Sequence, residues 1–253
     1  AGRRGSTRPP WEAADEPLAD GNWPLLSASA LPYKPGLQVP REMNGADFDD
    51  VTSAYVRAAT MAAGAGFDAI ELNFAHGYLL GSFLSPLTNT RTDEHGGALA
   101  NRSRLPLRVF DAIKAAVTHV PLLVRIAASD WAPGGITHAE SLELARLLAQ
   151  HGCDMLIVST GRTTSTAQPP QGRAFQTPFS DRLRNEAHIP TMAIGNITTA
   201  DEINSILVAG RADLCALGRP HVRDPYWTLH AVSDDETRLN ALLPREYREP
   251  KLS

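Results

Sequence analysis

The stretch THAESLELARLLAQHGCDMLIVS, residues 137–159, holds one complete helix-to-strand unit. Thr137 and Glu140 stand at the spacing of a capping box, in which each side chain satisfies a backbone donor orphaned at a helix start. An amphipathic helix follows and stops at Gly152, because glycine accepts the left-handed conformation after a last helical turn without a Cβ penalty. Cys153 and Asp154 then lead into the short apolar strand MLIVS.

The same grammar recurs outward in both directions. Gly66-Phe67-Asp68 precedes AIEL, and Gly210-Arg211-Ala212-Asp213 precedes LCAL. Thr199 and Glu202 repeat the capping-box spacing. LLVRIA (122–127) and TMAI (191–194) follow Pro121 and Pro190. Strands are therefore expected near 68–73, 122–127, 154–158, 191–194 and 213–217. Each is short, apolar on both faces and separated from the next by a helix, as a parallel sheet covered by helices requires. That alternation means an α/β fold, either a barrel or a doubly wound open sheet. Period and composition leave the two open. Although 253 residues match the usual size of a whole (β/α)8 barrel, five strands do not close one. Residues 1–45, rich in Pro, Gly, Ser and Ala with Trp11, Trp23 and Tyr33 among them, read as a long loop with one short hairpin.

Composition narrows the function classes. Hydrophobic residues make up 43% and charged residues 21%, ordinary for a soluble domain, and the net charge of −4 offers no electrostatic reason for nucleic acid or an anionic membrane as partner. No apolar run approaches the roughly 18 residues that span a bilayer, and the opening AGRRGSTRPP has no apolar signal-peptide core. Cys153 and Cys215 sit in apolar runs, so buried free thiols in a reducing cytoplasm are expected.

Polar residues gather where each expected strand ends, the position at which α/β folds bind ligands. After the first come Asn73, His76 and Tyr78; the second carries Arg125. The third runs into Ser159-Thr160-Gly161, the fourth into Gly195-Asn196 and the fifth into Gly218-Arg219. The last two glycines either permit tight turns or let backbone N–H groups approach a phosphate, with Arg219 adding a bidentate contact. Their occurrence together at the final two strands favours the phosphate. Asn73, His76 and Tyr78 can each donate a hydrogen bond to one carbonyl oxygen and stabilise charge developing there. No ligand spacing for a metal accompanies them. Arg125, inside an apolar strand, either forms an ion pair with a neighbouring strand or faces an electron-rich cofactor ring. Glu71 points elsewhere or packs against a cation.

The stretch IELNFAHGYLLGSFLSPLTNTRTDEHGG (70–97), with Asn101-Arg102 after it, resembles the signature region of the Old Yellow Enzyme family of NADH:flavin oxidoreductases. LLVRIAASD (122–130), the Gly195-Asn196 turn and LGRPHVRDP (217–225) continue the likeness in order, and AGRRG resembles the family segment after its third barrel strand. PLLSASALPY (24–33) is similar to the reductase half of salicylyl-CoA 5-hydroxylase and 2-aminobenzoyl-CoA monooxygenase/reductase. The resemblance implies an FMN-binding (β/α)8 TIM barrel, with residues 1–45 as the loop after strand three and 46–253 as strands four to eight of one domain. It implies an ene-reductase moving hydride from NADH or NADPH to FMN, then to an activated C=C of a carbonyl or aromatic acyl-CoA-derived substrate. Asn73 and His76 would bind the carbonyl oxygen of the substrate or of the hydride donor, and Tyr78 would give the proton. Arg125 would lie against the isoalloxazine, while Gly195, Asn196, Gly218 and Arg219, supplemented by Ser159, Thr160 and Gly161, would hold the phosphate. A small-molecule substrate is the expected partner, together with a flavin monooxygenase domain fused N-terminally in the parent protein. Two rivals stay open: another phosphate-binding barrel enzyme, or a truncated, non-catalytic barrel fragment.

Overall fold

A computed structural model of the chain describes residues 2–8, 16–232 and 235–248. Two short strands, β1 (Leu26–Ser27) and β2 (Arg41–Glu42), precede α1 (Gly45–Gly64). The sheet strands are β3 (Ile70–Phe74), β4 (Leu122–Ala127), β5 (Met155–Ser159), β6 (Thr191–Ala193) and β7 (Leu214–Cys215). Between β3 and β4 lie α2 (Leu79–Leu84), α3 (Leu99–Arg102) and α4 (Arg104–Ala116). Then α5 (His138–Gln150), α6 (Thr177–Ala187) and α7 (Ala200–Val208) alternate with the strands. After β7 come α8 (Arg219–Arg223), α9 (Trp227–His230) and α10 (Glu236–Leu242). No described helix is long and apolar enough to cross a membrane.

All five expected strands are present, and they pair in parallel in the order β3-β4-β5-β6-β7. Consecutive order with a helix between neighbours is a barrel's connectivity; a doubly wound sheet reverses its order partway. The expected helix stops hold as well, with Gly66, Gly152 and Gly210 at positive φ just after helices. Both expected capping boxes form, and Asn44 with Asp47 adds a third at the start of α1.

Side chains alternate across each strand. Leu72 and Phe74 of β3, Val124 and Ile126 of β4, and Leu156 and Val158 of β5 face the helices in one core with Phe83, Phe110 and Leu148. Each such burial is worth roughly 1.5–3 kcal/mol before chain entropy is counted. The opposite face carries one cross-strand row in register: Asn73, Arg125, Ile157, Met192 and Leu214. This is the face a closed barrel would turn inward, and it brings two of the expected functional residues side by side.

Two expectations need correction. No hairpin forms among the described residues of 1–45: β1 and β2 pair in parallel, and a single antiparallel bridge joins Thr7 to Pro17. The segment is instead pinned to the barrel by contacts distant in sequence, such as Arg91 donating to the carbonyls of Ala28 (3.0 Å) and Met43 (2.8 Å). Trp11 lies outside the described residues. Of the two thiols only Cys153 is buried; Cys215 is half-exposed because β7 is a two-residue edge strand.

Candidate active site and phosphate cavity

β3 ends in Phe74 and hands the chain to a tight turn carrying Ala75, His76 and Gly77. His76 adopts φ 61°, an uncommon conformation for a residue with a side chain, costing on the order of 1–3 kcal/mol. Gly77 allows the turn, since a Cβ there would come within 2.7 Å of the Thr163 carbonyl oxygen. Arg4 secures it from outside: Nη1 donates to the His76 carbonyl at 2.9 Å, while the guanidinium lies 4.4 Å from the Tyr33 ring and 5.1 Å from the Tyr78 ring.

Within the turn, Asn73 Oδ1 accepts from the Ala75 N–H at 2.9 Å, which orients the amide; its NH2 makes no hydrogen bond among the described residues. His76 Nε2 meets Ser159 Oγ at 2.6 Å. Burial, then the charges of Arg125, Arg162 and Arg4, lower the His76 pKa to about 4. The ring is therefore neutral near neutral pH and carries one donor and one acceptor nitrogen. Tyr78 occupies the N-cap position of α2.

Arg125 forms the ion pair that one of its two readings gave it. Its Nε and Nη2 donate to the Glu71 carboxylate at 2.6 and 2.9 Å, so Glu71 is the ion-pair partner on the neighbouring strand. Arg125 also lines a cavity of about 640 Å³ at the carboxyl ends of β6 and β7. Gly195-Asn196 and Gly218-Arg219, two pairs well apart in sequence, line the same cavity. Asn196, like Gly195, has positive φ, which curls the turn around the cavity mouth.

Ser159, Thr160 and Gly161 stand outside that lining. Ser159 contacts His76, Thr160 is buried, and the Gly161 N–H donates to the Ser129 carbonyl at 2.7 Å. Sequence reasoning also missed several participants. Arg223 and Trp227 line the cavity, and the segment 172–176 buttresses its turn. Asn196 Nδ2 donates to the Gly172 carbonyl at 2.7 Å, the Ala174 N–H donates to the Asn196 carbonyl at 3.2 Å, and Gln176 packs beneath Gly195. Arg223 lay within the quoted LGRPHVRDP motif; nothing in the loop sequence marks Gln176 as a neighbour of a turn some 20 residues on.

Residues 22–237 match the NADH:flavin oxidoreductase / NADH oxidase family. The chain is 39% identical over 222 residues to an NADPH dehydrogenase of Geobacillus sp. (strain WCH70), an alignment covering 88% of this chain and 65% of that one. It thus spans just under two thirds of that relative's length. Among solved structures, a complex of 2-naphthoyl-CoA reductase with 2-naphthoyl-CoA superimposes with a TM-score of 0.76 at 25% identity, covering 86% of this chain and 34% of that one. The Old Yellow Enzyme homologue of Zymomonas mobilis superimposes with a TM-score of 0.69 at 23% identity, over 84% and 62% of the two chains. The likeness in fold identifies the five consecutive parallel strands seen here as part of a TIM barrel. The chain belongs to the NADH:flavin oxidoreductase / NADH oxidase family.

Proposed function

We propose that this chain forms the FMN phosphate site and the substrate-oxygen site of an NAD(P)H-dependent reductase of ene-reductase type. The observation that carries the proposal is the row joining the two sites: Arg125 lies in register beside Asn73 and also lines the cavity of Gly195, Asn196, Gly218 and Arg219. A cofactor with a phosphate at one end and a flat, electron-rich ring at the other fits that span. The donor set suits it, because two glycine-bearing strand ends and the guanidiniums of Arg219 and Arg223 form a lining rich in positive charge. When bound, FMN supplies the hydride chemistry, taking it from NADH or NADPH and passing it to an activated C=C bond.

The protein's own residues do the rest. Glu71 fixes the Arg125 guanidinium, whose positive charge would stabilise an electron-rich flavin ring held beside it. Asn73 and His76 donate to the substrate's carbonyl oxygen and stabilise the charge that develops there. Tyr78, beside Arg4, is the group we assign to deliver a proton to the substrate carbon. The likeness to 2-naphthoyl-CoA reductase supports an aromatic acyl-CoA-derived substrate, in line with the resemblance of residues 24–33 to reductases of aromatic CoA thioesters. That resemblance also supports a monooxygenase domain in the parent polypeptide, the likeness of AGRRG supports residues 1–45 following barrel strand three, and the two free thiols support a reducing cytoplasm.

Replacing His76 with Ala tests the assignment by stopped-flow. The variant should retain flavin and its reduction by NAD(P)H. Reoxidation of the reduced protein by an α,β-unsaturated carbonyl compound should slow on the order of a hundredfold. Unchanged reoxidation would remove His76 from the reaction.

A further inference from the structure

Ser159 ends β5 in register with Ala127 and is 3% exposed. Its carbonyl accepts from the Ala128 N–H at 2.8 Å, which holds the backbone in place. Its hydroxyl stands 2.6 Å from His76 Nε2 and makes no other hydrogen bond among the described residues. A serine hydroxyl has one proton to give and two lone pairs to offer. Leaving a buried donor unmade costs the full desolvation of that group, whereas a hydroxyl that has donated leaves only acceptor capacity unused. The proton of Ser159 therefore goes to Nε2, its one available acceptor.

The consequence falls on the other ring nitrogen. His76 is neutral near neutral pH, so a single nitrogen carries its proton, and accepting at Nε2 forces that proton onto Nδ1. Nδ1 makes no hydrogen bond among the described residues, and it is not one of the polar atoms buried without a partner. We propose that Ser159 is a positioning residue, which by donating to Nε2 holds His76 as the Nδ1–H tautomer and leaves Nδ1–H as the donor offered to a substrate oxygen. This rests on the reading of His76 as an oxygen-binding residue, and it gives Ser159 a task separate from the phosphate cavity.

Nitrogen-15 spectroscopy of the histidine rings, at about pH 7 and with no flavin or substrate added, reads the tautomer directly. A His76→Gln variant identifies the relevant signals by their loss. In the unaltered chain Nδ1 should resonate as a protonated, pyrrole-like nitrogen and Nε2 as an unprotonated, pyridine-like one. Ser159→Ala should lose this single-tautomer signature and give averaged shifts, and Ser159→Thr should restore it. A proton found on Nε2 in the unaltered chain would overturn the proposal without any variant; so would a spectrum that Ser159→Ala leaves unchanged. Flavin binding is measured separately, so its failure would overturn the flavoreductase reading and leave the tautomer result standing.

Discussion

At Gly195 two constraints meet in one residue. Its φ is 99°, and a Cβ built there would lie 2.0 Å from Gln176 Nε2, so neither the backbone nor the space admits a side chain. Gly195→Ala should introduce about 1–3 kcal/mol of strain and push the turn away from the cavity. Fluorescence titration should then show FMN affinity weakened about tenfold or more. Unaltered affinity would mean that this turn does not hold the phosphate. The sequence disclosed the glycine and not its reason, because Gln176 enters from a loop whose spacing encodes no contact. His76 shows the same limit. Its place after a strand marked it as a candidate, but its left-handed backbone, its contact with Ser159 and its lowered pKa arise from partners remote in sequence.

Among the elements, the long signature segment is chiefly a structural brace. Ser85 donates to the buried Asp130 at 2.6 Å, Asn89 donates to the carbonyls of Phe83 and His95, and Arg91 ties the segment to Ala28 and Met43. Arg102, 2% exposed, donates to the carbonyls of Leu84 and Gly97 and to the Glu140 carboxylate. Glu140 is at once the capping-box residue of α5 and the partner of a buried cation. Glu140→Ala should therefore destabilise the fold by about 3–5 kcal/mol, far beyond the loss of a cap, because it strands Arg102 without its counter-charge. Chemical denaturation would show this; a loss near 1 kcal/mol would reduce Glu140 to its capping role. Local grammar made all five strands and the capping boxes of α5 and α7 legible, though not the Asn44 cap of α1. The Arg102–Glu140 pair was not, since it joins residues 38 apart and no periodicity relates them.

Across the whole molecule, the sheet is open. β4 and β5 are each flanked by strands on both sides, whereas β3 and β7 are its edges. Leu214 at the end of the inward row is 47% exposed. Edge strands lack pairing on one side and open at low cost. Amide hydrogen exchange should find Leu156–Val158 and Val124–Ile126 the slowest segments, with β7 exchanging well before them. Equal protection of β7 would mean that another element covers that edge. Period and composition left barrel and doubly wound sheet undecided, because both share them; the family resemblance pointed to the barrel, and the strand order agrees. We propose that this open sheet still assembles a flavin site from its strand ends. The test is a visible absorption spectrum of the purified chain with added FMN, before and after NADH or NADPH. Protein-bound flavin absorption that the nucleotide bleaches is the expected result. Folded, soluble protein that leaves FMN free and unreduced would contradict it.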